Sequence, residues 1–225
     1  MNSSPMEHQI TAPFIYTLLT FCPMTEAYAL LLIVLVLAIL FTIGLWRTSK
    51  EFRRHAEKIK EVFTPYSDYL GFMRYGRGFK ALCIPKKGSN FSRIDITVSL
   101  TWRENPLFYI LYPITKDKDR IFLWGELVEM PDVNIEIRRG ESTDPGRGVK
   151  IPDLNFVVVT DDREKAFALI DRIRGYLKDS ESCLESLKMG RDYKWVKVMG
   201  RIEDDESIRK MFDILVKAGE IAPIL

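Results

Sequence analysis

The sequence predicts an α+β protein: a single N-terminal transmembrane helix followed by a cytosolic domain with a largely antiparallel sheet and helices on one face. Three observations lead to this prediction. An uncharged apolar run of twenty residues is followed at once by basic residues. Apolar and polar residues then alternate along several short segments, and two amphipathic helical patterns occupy the C-terminal third.

The apolar run is Ala27–Trp46, and it contains no charged residue. A helix of that length is about 30 Å long, which matches the hydrocarbon core of a bilayer. Residues 1–26 contain no lysine or arginine, whereas the residues after the run are strongly basic. The positive-inside rule therefore predicts an N-terminus outside or in the lumen and a cytoplasmic remainder. No basic segment precedes the run, so we expect an uncleaved single-pass anchor in the cell membrane or the endoplasmic-reticulum membrane.

This pattern divides the chain into four parts: an extracytoplasmic tail (1–26), the transmembrane helix (27–46), a basic juxtamembrane helix (47–63) and a cytosolic domain (64–225). Within the tail, residues 12–22 are apolar but too short to span, and Pro13 and Pro23 bracket them. We expect this segment either to lie in the outer interface or to remain loosely ordered.

The juxtamembrane helix has two kinds of surface. Phe52, Ala56, Ile59 and Phe63 recur at helical spacing and form an apolar stripe, which either binds a partner or packs on the protein's own domain. Pro65 is the expected end of the helix. The basic residues on the other faces are expected to fix the orientation of the helix in the membrane and to contact anionic lipid. These residues are Arg47, Lys50, Arg53, Arg54, Lys58 and Lys60.

Alternation is clearest from Phe91 to Trp102, which is typical of a half-buried antiparallel strand. Residues 107–111 fit either a strand or a helical turn. Pro131 and Asp132 predict a tight turn that joins two strands in a hairpin, and a polar loop follows at 140–152. The other predicted strands are 78–84, 121–129, 133–139, 155–160 and 193–199.

Two helices are expected in the C-terminal third. The first is capped by Thr160 or Asp161 and has a core stripe that runs to Leu177. The second begins near Asp204 and ends before Gly219.

Composition argues against several function classes. Net charge is only +2, and the basic juxtamembrane helix accounts for more than that, so no general attraction to nucleic acid is implied. Cys22, Cys83 and Cys183 are far apart and show neither disulfide nor zinc spacing. His55, among arginines, is expected to be a solvated surface residue, and residues 116–120 a mixed-charge turn. We find no catalytic motif, metal site, cofactor motif or small-molecule site.

The order of these elements resembles the calumin-like family, coiled-coil-domain proteins of the endoplasmic reticulum that belong to the PAT complex at the translocon. The similar stretches are Tyr75–Cys83 (YGRGFKALC) and Val157–Ser182, in which the polar turn Thr160–Arg163 opens a helix at Lys165. The resemblance is to a compact form of the family, such as an archaeal one. It implies an accessory factor that contacts the translocon and the ribosome. A long acidic luminal segment and a lysine-rich coiled coil are not found in this sequence, so calcium binding is not carried over.

The sequence therefore favours a non-enzymatic, single-span protein that acts as an accessory or chaperone factor in membrane-protein insertion, with protein partners at the translocon. An adaptor or scaffold that binds anionic lipid is the alternative. A membrane-anchored enzyme with an unrecognised site is the third possibility.

Overall fold

The computed structural model describes residues 12–115, 117–140, 148–191 and 194–224. It shows an α+β fold with one long apolar N-terminal helix and a large antiparallel sheet, as the sequence predicts. The helices are α1 (Ala12–Phe63), α2 (Pro106–Thr115), α3 (Arg163–Asp179) and α4 (Ser207–Ile221), with 3-10 turns at Thr64–Tyr66 and Ala222–Ile224. The strands are β1 (Ser67–Tyr75), β2 (Gly78–Pro85), β3 (Phe91–Ser99), β4 (Arg120–Leu127), β5 (Ile135–Arg139), β6 (Val149–Lys150), β7 (Phe156–Thr160), β8 (Leu184–Gly190) and β9 (Trp195–Arg201).

Helix α1 joins the predicted span and the predicted juxtamembrane helix in one element of 52 residues, about 78 Å long. It ends at Phe63, two residues before Pro65, as expected. The loosely ordered alternative for residues 12–22 is wrong, because their backbone is helical and continuous with the apolar run. Their place in the outer interface stays a prediction. Residues 1–11 of the predicted tail lie outside the described residues.

The strands form one sheet in the order β1-β2-β3-β4-β9-β8-β5-β7-β6, and every pairing between neighbours is antiparallel. The predicted hairpin across Pro131 and Asp132 is wrong, because β9 and β8 lie between β4 and β5 and occupy the edges that the hairpin would have used. Strands β1 and β8 were not predicted. The two-residue strand β6 lies within the segment expected to be a loop.

Helices α3 and α4 pack on one face of this sheet, together with the C-terminal end of α1. Strand β3 turns its apolar residues to that face, and Ile94 and Ile96 are fully buried there. The Phe91 ring lies between two glycines: a Cβ atom on Gly125 or on Gly219 would come within 2.4 Å or 2.2 Å of it. Close approach of α4 to the sheet therefore requires glycine at both positions.

The ends of the two C-terminal helices differ from the prediction by a few residues. Asp162, and neither Thr160 nor Asp161, caps α3, because its side chain accepts a hydrogen bond from the Lys165 amide at 3.2 Å. Helix α4 continues through Gly219 to Ile221, since that glycine faces Phe91 and has no helix-ending conformation.

Residues 107–111 belong to helix α2, which resolves the alternative left open by the sequence. The loop before α2 touches α1 closely, since a Cβ on Gly44 would lie 2.2 Å from the Arg103 carbonyl oxygen. One turn later, the Thr48 hydroxyl donates a hydrogen bond to the Glu104 carboxylate at 3.3 Å.

Candidate functional site

A buried polar cluster joins α1 to the domain. The Asp119 carboxylate, just before β4, accepts hydrogen bonds from His55 Nε2 at 2.9 Å and from both terminal nitrogens of Arg103 at 2.9 and 3.0 Å. It also accepts from the amide and the hydroxyl of Thr101, each at 2.8 Å. His55 and Asp119 are 3% and 4% exposed. We call these four residues the junction cluster.

The electrostatics of the junction cluster favour an ionised Asp119. Burial alone would raise the pKa of this carboxyl, but the hydrogen bonds from His55, Arg103 and the Thr101 amide outweigh burial and hold the pKa far below its ordinary value of 3.8. A buried carboxylate with this many donors is stable only while all of them stay in place. The junction cluster therefore fixes α1 against the loop that follows β3.

The sequence interpretation of His55 is wrong: it was expected to be a solvated surface residue and is buried. Asp119, expected only as part of a mixed-charge turn, is also buried. A signal for His55 was present, because it lies one helical turn before Ile59, at the edge of the apolar stripe. Asp119 gave no local signal, since its partners are distant in the sequence.

Glu51 adds a third possible ligand for a metal ion beside His55 and Asp119, and their ligand atoms all lie within 4.8 Å of one another. The surroundings disfavour a cation, however. Both Asp119 oxygens already accept hydrogen bonds from the Arg103 guanidinium. A metal ion bound there would face this fixed positive charge at short range. Glu51, His55 and Asp119 are better explained as part of a structural link between α1 and the domain than as a metal centre.

The apolar stripe of the juxtamembrane helix packs on the protein's own domain. Ile59 and Phe63 are fully buried, and Phe52 and Ala56 pack against the same core. The Phe63 ring lies 4.4 Å from the ring of Phe212 in α4, measured between centroids. The apolar stripe is therefore part of the hydrophobic core and not a surface for a partner. Of the two alternatives left by the sequence, packing on the protein's own domain is the one observed.

Arg54 and Lys58, two of the predicted basic residues, also form ion pairs with the domain. Arg54 Nε donates to Asp205 at 2.7 Å, and Lys58 Nζ donates to Glu206 at 3.4 Å, both just before α4. The other four basic residues predicted to contact lipid are exposed on α1. These are Arg47, Lys50, Arg53 and Lys60.

The second feature is the face of the sheet that the helices leave uncovered, which we call the open face. On β1–β4 and β9 it forms a concave surface with a cavity volume of about 740 Å³. Large side chains on it include Tyr69, Met73, Tyr75 and Trp124, each about half exposed. A sheet face that is normally polar thus carries an exposed apolar patch, which is typical of an interaction surface.

Cations lie directly beside these aromatic rings. Lys80 Nζ is 3.9 Å from the Tyr75 ring centroid, and Lys197 Nζ is 5.4 Å from that of Trp124. Trp124 in turn packs edge-on against Trp195, with ring centroids 5.5 Å apart. The open face therefore suits a partner that has apolar side chains and some negative charge. Sequence reasoning missed it, although β4 carries apolar residues on both of its faces, which was a usable signal.

Nucleophilic chemistry gains no support from Cys83 or Cys183. Burial raises the pKa of the Cys83 thiol to about 11 and also raises the pKa of Cys183, and both side chains are fully buried. A thiol with a raised pKa carries little thiolate at neutral pH. Both cysteines act as small core residues.

No protein-family model matches this sequence, and no curated protein is significantly similar to it. The function is therefore inferred from the two features above: a rigid junction at the end of a candidate membrane span, and an open sheet face with exposed aromatic and basic side chains.

Proposed function

We propose that this chain is a non-enzymatic, single-span membrane protein whose cytoplasmic domain binds a protein partner near the membrane surface. The observation that carries the proposal is the unusual environment of α1. Only 6% of its most apolar eighteen-residue stretch is buried within the protein, while its far end, at Phe63, is fully buried in the domain core. An exposed apolar surface of this length needs a bilayer to cover it.

The same helix supports the orientation. Basic residues occupy α1 only after Trp46, and the domain lies on that side of the apolar run. By the positive-inside rule this side is cytoplasmic. Thiol labelling in intact membranes tests this: in a Cys22→Ser background, a cysteine in place of exposed Lys60 should react only after the cytoplasmic side is opened. Reaction from the outer or luminal side would contradict the orientation.

The open face is the proposed binding surface. The junction cluster and the buried end of α1 hold the domain at a fixed position on α1, so the open face keeps a constant orientation relative to the proposed span. The resemblance of Tyr75–Cys83 and Val157–Ser182 to the calumin-like family supports a role as an accessory factor in membrane-protein insertion. The expected partners are then components of the translocon, with the ribosome as a second contact.

Site-specific photocrosslinking in native membranes tests this proposal. A photoreactive amino acid replaces Met73 or Trp124 on the open face, and the control position is Tyr176 on α3, which is partly exposed on the helical side. We expect discrete crosslinks to protein-conducting channel components from the open face and few from the control. Equal labelling from both positions, or none from the open face in native membranes, would contradict it.

Binding of anionic lipid is the second candidate function, and the exposed Arg47 and Lys50 at the end of the apolar run favour it. The full chain would be mixed with nanodiscs of neutral and of anionic lipid. An adaptor should prefer the anionic discs, and the variant Arg47→Gln/Lys50→Gln should lose that preference, as should the parent chain in high salt. Equal incorporation into both kinds of disc argues against an adaptor.

A further inference from the structure

Helix α2 carries an apolar surface that nothing in the described part of the chain covers. Its ten residues, PLFYILYPIT, include no charged side chain. Leu107 is 56% exposed and Ile114 is 79% exposed. The two residues are seven positions apart, close to two helical turns, so they lie on the same face of α2. Water is an unfavourable environment for such a face.

The position of α2 places this surface at the level where the candidate span ends. The loop before α2 contacts α1 at Gly44. Gly44 is two residues before Trp46, the last residue of the apolar run, so the contact lies about 3 Å from the end of the run along the helix axis. Phe108 and Tyr112 of α2 line one cavity together with Trp46 and the basic residues that follow it. In a bilayer that covers the apolar run, α2 therefore lies at the boundary between headgroups and acyl chains.

The residues around α2 are those that favour this boundary. Trp102, just before the helix, is half exposed, and the Arg77 guanidinium lies 4.9 Å from its ring centroid. Tyr112 in the helix is 41% exposed, and Lys118 and Arg120 follow it. Tryptophan and tyrosine concentrate at membrane interfaces, and cations at the same depth bind lipid phosphates.

We propose that α2 is an interfacial helix, which inserts the face that carries Leu107 and Ile114 into the leaflet where the span ends. The occupant of this surface is lipid. The domain then touches the membrane at a second point beside its anchor. This inference rests on the proposed membrane span, but it adds a contact that a simple tether would not make.

Depth-dependent fluorescence quenching of the full chain in phosphatidylcholine vesicles tests the inference. A single cysteine replaces Leu107 or Ile114 in a Cys22→Ser background and carries a small polarity-sensitive probe; Cys83 and Cys183 are buried. We expect quenching by lipid-borne nitroxide at a shallow depth, about 5–10 Å into the headgroup and acyl boundary. Iodide in the water should quench these probes weakly.

Two control positions separate the possible failures. A probe at Leu35 should be quenched by deep nitroxide, and a probe at Ile224, which is 69% exposed near the end of the domain, should be quenched by iodide alone. If probes at 107 and 114 behave like the one at Ile224 while Leu35 is in lipid, the interfacial helix is refuted and the span stands. If Leu35 is also in water, the span and the inference both fail. Ile114→Glu should move a probe at position 107 from lipid into water.

Discussion

The variant Asp119→Asn tests the junction cluster most directly. Asparagine keeps the shape of the side chain, but it replaces one acceptor oxygen by an NH₂ donor that faces His55 or Arg103 in a site where all the surrounding groups donate. Breaking a buried charge pair by removal of one partner costs about 3–5 kcal/mol. The Arg103 side chain retains 19% exposure to water, so we expect the lower end, about 3 kcal/mol.

The assay is urea unfolding of the full chain in detergent micelles, followed by tryptophan fluorescence and linear extrapolation. Asp95→Asn is the matched control, because Asp95 pairs with Arg93 at 2.8 Å on the exposed face of β3. An exposed pair of this kind contributes about 0–1 kcal/mol. A loss in Asp119→Asn no larger than that of the control would refute the junction cluster as the element that fixes α1 to the domain.

The pH dependence of stability, compared between the parent chain and Asp119→Asn, gives an independent check. The pKa of Asp119 is lower in the folded chain than in the unfolded chain. The ionised Asp119 therefore contributes its full stabilisation at pH values above its pKa in the unfolded chain, and this stabilisation declines as the pH falls toward its pKa in the folded chain. The difference in stability between the parent chain and Asp119→Asn should therefore narrow progressively below about pH 4. A difference that narrows already on going from pH 8 to pH 6 would contradict the depressed pKa.

Further predictions concern packing, capping and thiol chemistry. Gly219→Ala should cost about 1–3 kcal/mol, because its Cβ meets the Phe91 ring. Gly175→Ala in α3, where a Cβ meets nothing within 4 Å, should instead stabilise by about 0.5–1 kcal/mol. Urea unfolding compares the two, and equal effects would contradict the glycine contact. Asp162→Ala should remove the α3 cap and cost about 1 kcal/mol in the same assay. In a Cys22→Ser background, Cys83, with its thiol pKa at about 11, should react with a maleimide at neutral pH only after unfolding; rapid labelling of this variant in its folded state would contradict the burial of Cys83.

Local patterns were enough to predict much of the sheet. From Ile94 to Ser99, apolar and polar residues alternate strictly, because one face of β3 is covered by helices and the other faces water. Strand β1 was missed because it is an edge strand in which both faces are partly exposed, so Tyr69, Phe72 and Met73 follow no simple period. Edge strands are defined by their neighbours more than by their own sequence.

The order of the strands and the junction cluster could not be predicted in the same way. Strand β5 pairs with β8, about fifty residues later in the chain, and local turn signals carry no information on such a pairing. Asp119 and His55 are separated by 64 positions. Their partnership depends on how the C-terminal part of α1 packs on the domain, which no short motif encodes. The basic residues, in contrast, were found easily, but the ion pairs of Arg54 and Lys58 with Asp205 and Glu206 could be recognised only in the tertiary structure.

The unbroken course of α1 has a mechanical consequence. From Trp46 to Phe63 the helix is a rod of about 26 Å with its far end embedded in the core, and no proline or glycine interrupts it. If the helix tilts by about 20° from the bilayer normal, Phe63 moves sideways by about 9 Å relative to Trp46. In the proposed membrane-bound arrangement, a change in bilayer thickness that tilts the span would therefore reorient the whole sheet with it.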